Sequence, residues 1–154
     1  LNPGGPNHEE LSCLVGVYEY FNNLFQHHFP GEDGSVREKI EKVNELINKH
    51  EQEIANPLLK YINSRDDIKL IGKNKIENKN RAPTIAFTMN NKSSKELSSD
   101  LVKQGIATRN DNFYAWRCLK ALGIDVDDGV VRTSMVHYNT HGDVNNLIEA
   151  LKKI

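Results

Sequence analysis

The feature that most constrains this chain is a switch of apolar period near Asp67. Before it, Leu11, Leu14, Val15, Tyr18, Phe21 and Phe25 recur three and four residues apart, and so do Val36, Ile40, Val43, Ile47, Ile54, Leu58, Tyr61 and Ile62. That spacing lines them along one side of a helix. After it, Ile68-Lys69-Leu70-Ile71 is short and β-like, and Thr84-Ile85-Ala86-Phe87-Thr88-Met89 alternates at the period of a strand. We therefore expect two lead-in helices over residues 1–66 and a small C-terminal α/β domain over 67–154.

Punctuation along the chain fixes the order of elements. Asn7 with Glu10, Ser35 with Glu38, and Ser93 with Glu96 place a capping side chain three residues ahead of an acid, which marks helix starts. The first helix should end near Phe29-Pro30-Gly31, and Pro57 should kink or restart the second. Gly105 suits a left-handed cap after the helix bearing Leu97, Leu101 and Val102. A strand at residues 106–109, a turn at Asn110-Asp111-Asn112, a helix over 113–122 and a strand over 129–136 follow, and Thr140 caps a last helix. The order α-α-β-β-α-β-α-β-α predicts an α/β (α+β) class, with helices packed on a mixed sheet. Lys73 to Arg81, mostly Lys and Asn around an isolated Ile76, reads as a solvated loop.

Composition excludes several classes of function. With 20 Lys and Arg against 21 Asp and Glu, all interspersed, nothing points to nucleic acid or an anionic membrane. No apolar run of about 18 residues and no signal-peptide pattern is present, so the chain reads as soluble and cytoplasmic. Cys13 and Cys118 are far apart and are expected to be buried thiols. No methionine precedes Met89, so the chain is expected to be a piece of a longer polypeptide. Asp125-Val126-Asp127-Asp128-Gly129 is out of register for a calcium loop, and His27-His28, expected to diverge, and His137 with His141 lack ligand geometry. No metal site and no catalytic residue follow from local motifs. Two features remain. Arg132 sits mid-strand and must find an anion, for which a structural ion pair is the plainest reading. Gly4-Gly5-Pro6-Asn7 opens a helix and could offer amides to an anion, or be a simple capped turn.

Four segments in order carry a resemblance. Gly4-Gly5-Pro6-Asn7-His8-Glu9, Arg81-Ala82-Pro83-Thr84-Ile85-Ala86-Phe87, Gly105-Ile106-Ala107-Thr108-Arg109 with Phe113-Tyr114-Ala115, and Val131-Arg132-Thr133-Ser134 with His137-Tyr138-Asn139-Thr140 resemble the C-terminal part of class V aminotransferases. The likeness is to their cysteine desulfurase-like branch of pyridoxal-phosphate enzymes, typically homodimers.

The resemblance implies the small domain of such an enzyme, without the Schiff-base lysine of the large domain, and so no turnover by this piece alone. It assigns Arg132 to the α-carboxylate of an amino-acid substrate, Arg109 to the neighbourhood of that pocket, and Gly4 and Gly5 to a turn near the cofactor phosphate of the other subunit. Gly5 stands where the family has threonine, which removes a hydroxyl contact. Residues 110–114 lack the nucleophilic cysteine of true desulfurases, and Cys118 reads as structural. Sulfur transfer is therefore doubtful, and an aminotransferase, lyase or epimerase reaction fits equally. The alternative is a non-catalytic binding or regulatory module that keeps the same small-domain fold.

Overall fold

The structure is a computed structural model, and it describes residues 4–76 and 81–154. Its elements are α1 (His8–His28), α2 (Val36–Asn63), β1 (Ile68–Ile71), β2 (Thr84–Met89), α3 (Ser94–Lys103), β3 (Arg109–Asp111), α4 (Trp116–Ala121), β4 (Val130–Ser134) and α5 (His141–Lys152). The order is the expected one. The chain divides into two compact units, the first ending at Asn48 and the second running Lys49–Ile154, so the division falls inside α2.

In the first unit, the Asn7 side-chain oxygen accepts from the amides of Glu9 and Glu10 at 3.1 and 3.2 Å, starting α1. Ser35 and Glu38 bond reciprocally and start α2. Phe25 and Val43 are buried. The Phe25 ring stacks on Phe29 at 5.2 Å, and the ammonium of Lys39 lies 5.5 Å from its centroid while pairing with Asp33 at 2.9 Å. Most of the α1 stripe is not covered: Leu11, Leu14, Val15 and Tyr18 are exposed, and Phe21 is half-buried.

The second unit holds the main core. Ile54, Leu58 and Ile62 of α2, Leu97 and Leu101 of α3, and Val144, Leu147 and Leu151 of α5 form one buried cluster with Ile68, Ile85, Phe87, Met89 and Val131 of the sheet. Fully burying one such side chain contributes roughly 1.5–3 kcal/mol, so these residues decide which side of the sheet meets the helices. Pro57 does not end α2, which runs unbroken to Asn63. Proline costs the helix one backbone bond, and here the buried Leu58, Leu59 and Ile62 hold the next turn in place. Ser93 with Glu96 and Thr140 with Asp143 form complete capping boxes on α3 and α5. Gly105, at φ +79°, closes α3 while the amide of Ile106 reaches back to the carbonyl of Leu101.

The sheet order is β1-β2-β4-β3, and every pairing is antiparallel, not mixed. The strands joined through α3, β2 and β3, do run the same way, but they leave a gap between them. β4 fills that gap and runs against both, as in a split βαβ unit. The third strand also sits later than expected. Asn110 and Asp111 lie opposite Val131 and Val130, and the turn begins only at Asn112. Gly129 permits this: a Cβ there would lie 2.3 Å from the carbonyl carbon of Asp111, and its φ is +71°. In the Lys- and Asn-rich loop, Ile76 is buried, and its amide is held by the Asn56 side chain at 3.0 Å. Residues 77–80 of that loop lie outside the described residues. Among the described residues no helix is long and apolar enough to cross a membrane.

Gly129→Ala should lower the stability of the chain by at least about 2 kcal/mol in denaturant unfolding, because strained backbone adds to a steric clash. An unchanged unfolding midpoint would show that β3 does not depend on this close approach.

Candidate functional site

Alternation along β4 sends Val131 and Thr133 into the helix-covered core and Arg132 and Ser134 to the opposite face of the sheet. On that face the hydroxyls of Ser134 and Thr84 lie 3.4 Å apart. The register puts Ala86 on one side of Arg132 and Arg109 directly across from it on the other. Two cations opposite each other on neighbouring strands repel. Among the described residues neither guanidinium has a carboxylate partner. The ion pair that local reasoning assigns to Arg132 is therefore not found. Instead its guanidinium carbon lies 3.9 Å from the centroid of the Phe113 ring. Arg132 is half-buried, and Arg109 is exposed.

The segment that carries Phe113 is the largest departure from the helix expected over 113–122. Phe113 and Tyr114 have φ of +51° and +60°, and α4 starts only at Trp116. Left-handed backbone costs about 1–2 kcal/mol at each non-glycine residue. Asn112 supplies part of the compensation. Its side-chain oxygen accepts from the Tyr114 amide at 3.0 Å, its side-chain nitrogen donates to the Val126 carbonyl at 3.3 Å, and its carbonyl accepts from the Ala115 amide at 2.8 Å. Tyr114, next to Phe113 in sequence, is left 98% exposed. Local patterns do not reveal Phe113 as the neighbour of Arg132. The one clue was the run Asn110-Asp111-Asn112, whose residue types tolerate left-handed turns just ahead of two aromatics.

Other expectations need correction. Cys13 and Cys118 are both exposed, not buried. On α4 the buried position is Leu119, which turns its neighbour Cys118 outward. The rings of His27 and His28 meet edge to face at 4.9 Å instead of diverging. His50 meets the Asn139 carbonyl at 2.8 Å, and among the described residues no group of three or more His, Cys, Asp or Glu could hold a metal ion. Asp128 binds the α3 start through the Ser94 amide at 2.8 Å, so this acidic turn serves the fold. Gly4 and Gly5 belong to the first unit, with φ of +89° and +93°, and Arg109 and Arg132 belong to the second. A cleft of about 270 Å³, lined by Thr108, Thr133, Asn139, Asp143 and Leu147 among others, includes neither guanidinium.

Comparison with known proteins supplies the family. The model of aminotransferase class-V matches residues 38–147, a stretch that contains Arg109 and Arg132 but not the Gly4-Gly5 turn. This chain belongs to the class-V aminotransferase family. Within it, the chain is 31% identical over 156 residues to the aminotransferase-like protein FGM3 of Gibberella zeae, covering 100% of this chain and 37% of that protein. It thus spans well under half of its curated relative. Among solved structures, the cysteine desulfurase CsdA of Escherichia coli superposes with a TM-score of 0.69 at 19% identity, covering 99% of this chain and 32% of that one. A cysteine desulfurase of Thermococcus onnurineus does so with a TM-score of 0.62 at 19% identity, covering 77% and 29%. At these identities the likeness is one of fold, and the class-V family member described here shares that of the desulfurases.

Replacing Arg109 with Gln should raise stability by about 0.2–1 kcal/mol at low ionic strength, by relieving the opposed charges. The gain should fade as salt is added. Thermal melts of both proteins across a salt series check this. A less stable variant at every salt concentration would mean that Arg109 is held by attraction.

Proposed function

We propose that this chain supplies the substrate-carboxylate side of a pyridoxal-phosphate-dependent enzyme acting on an amino acid. The rest of a longer protein would supply the lysine that holds the cofactor. The observation that carries this reading is the pair of opposed arginines on the sheet face away from the main core, without an acid among the described residues to neutralise either. Such a pair is stabilised by an incoming anion, and a planar carboxylate matches the fork of Arg132. Family membership and the desulfurase-like fold support the cofactor class.

The residues of this chain suit the cofactor only in part. The Gly4-Gly5 turn has no atom within 4 Å where either Cβ would lie, so its bare backbone can approach a phosphate. Further into the helix start, the amides of Glu9 and Glu10 are already taken by the Asn7 side chain, and two carboxylates stand there. We therefore limit the role of Gly4 and Gly5 to backbone contact at the turn itself. When bound, pyridoxal phosphate withdraws electrons from the α-carbon of an amino acid. In this reading Arg132 grips the α-carboxylate through two parallel N–H bonds and fixes which α-bond points at the cofactor. Arg109 adds positive potential at the rim of the same site. Ala86 beside Arg132 leaves room for the substrate, since its methyl group is the smallest side chain in that row. A homodimeric, cytoplasmic parent belongs to the same reading, supported by the resemblance and by two free, exposed thiols.

In the full-length protein, Arg132→Ala should weaken amino-acid binding by about 2 kcal/mol or more while leaving cofactor binding nearly intact. Arg132→Lys should recover only part of that loss, because an ammonium lacks the fork. Titrating amino acids against the cofactor's visible absorbance measures both. Equal affinity in the wild type and Arg132→Ala would remove Arg132 from the site.

A further inference from the structure

We propose that Phe113 is the positioning residue of the carboxylate site, holding the plane of the Arg132 guanidinium ready for substrate, and that the left-handed turn at residues 113–114 is kept because it carries the ring there. This inference rests on the reading of Arg132 as the carboxylate grip.

Hydrogen bonding and stacking use different parts of a guanidinium. Its five N–H donors all point outward in the plane, whereas an aromatic ring engages the flat face. A ring at 3.9 Å therefore restrains Arg132 without consuming a donor. An aspartate or glutamate in its place would hold the side chain equally well, but it would occupy the donors and neutralise the charge that the substrate needs. Restraint matters here because Arg109, directly across on β3, would otherwise drive the free end of Arg132 away.

The backbone points the same way. Phe113 is not a member of the buried cluster of the second unit, so core packing does not account for its strained conformation. Asn112 fixes that conformation through two side-chain bonds, accepting from the Tyr114 amide next to the turn and donating to the Val126 carbonyl further along the chain. Strain at a bulky residue, locked by its neighbours and ending in contact with a functional cation, is what pre-organisation of a site requires.

The test uses the full-length protein and phenylglyoxal, which modifies accessible arginines, followed residue by residue by peptide mass spectrometry. A mixture of the proteinogenic L-amino acids serves as the protecting ligand. In the wild type, Arg132 should be protected as the mixture is added. Phe113→Leu, which keeps apolar volume but loses the π face, should raise the half-protecting concentration roughly three- to tenfold. Phe113→Tyr should restore the wild-type value, and the intrinsic labelling rate of Arg109 should be the same in all three. Should Phe113→Leu fail to fold by circular dichroism, Phe113→Met takes its place in the same comparison. Protection of Arg132 at an unchanged concentration in the folded Leu or Met variant would overturn the positioning role and leave the carboxylate site standing. A wild-type Arg132 that no amount of the mixture protects would overturn both.

Discussion

The two-residue alternation of β4 sets the terms for everything else in the second unit. Val131 and Thr133 must face the helices, because the core formed by α2, α3 and α5 is on that side. Arg132 must then face the other way, where it is half-buried against the ring of Phe113. The antiparallel register fixes its neighbours as firmly as its direction, with Ala86 on β2 and Arg109 on β3. A one-residue slip of β4 would bury a guanidinium and turn Val131 out of the core. The position of the candidate site is thus guaranteed by the same apolar burial that stabilises the domain.

Once that position is fixed, the site works against local stability in two ways. It opposes two positive charges across a strand pair, and it bends two aromatic residues into left-handed backbone. Neither arrangement has a packing rationale. Both become intelligible if the face is shaped for an anion from outside, with the ring of Phe113 steadying one guanidinium and Asn112 steadying the ring's backbone. Natural sequences concede stability in this manner where a site must be ready before its ligand arrives.

Much of the fold was legible in the sequence because its signals are local. The order of the elements among the described residues, the capping box at Ser93, and the caps at Thr140 and Gly105 all follow from residue type and spacing. What was not legible depended on partners distant along the chain. β4 inserts between two strands that α3 connects, so the expected mixed sheet became wholly antiparallel. Ile76 reads as a stray apolar residue until Asn56, twenty positions earlier, is seen to bind its amide. Cys118 occupies what looked like a core position, but α4 is short and turns only Leu119 inward. The two arginines were singled out by their motifs, whereas the contact between Phe113 and Arg132 arises from a turn that helical propensity alone would not place there.

The capping boxes have a consequence for behaviour in acid. Glu38, Glu96 and Asp143 all titrate below the ordinary carboxylate range, chiefly because they accept hydrogen bonds from the serine or threonine at their own helix start. A carboxylate depressed in the folded state adds stability above its unfolded pKa and surrenders it as pH falls through the folded value. Acidification therefore unfastens α2, α3 and α5 at their first turns, all by the same chemistry. Within the second unit α3 and α5 would loosen at their N-terminal ends together, while the start of α2 would loosen within the first.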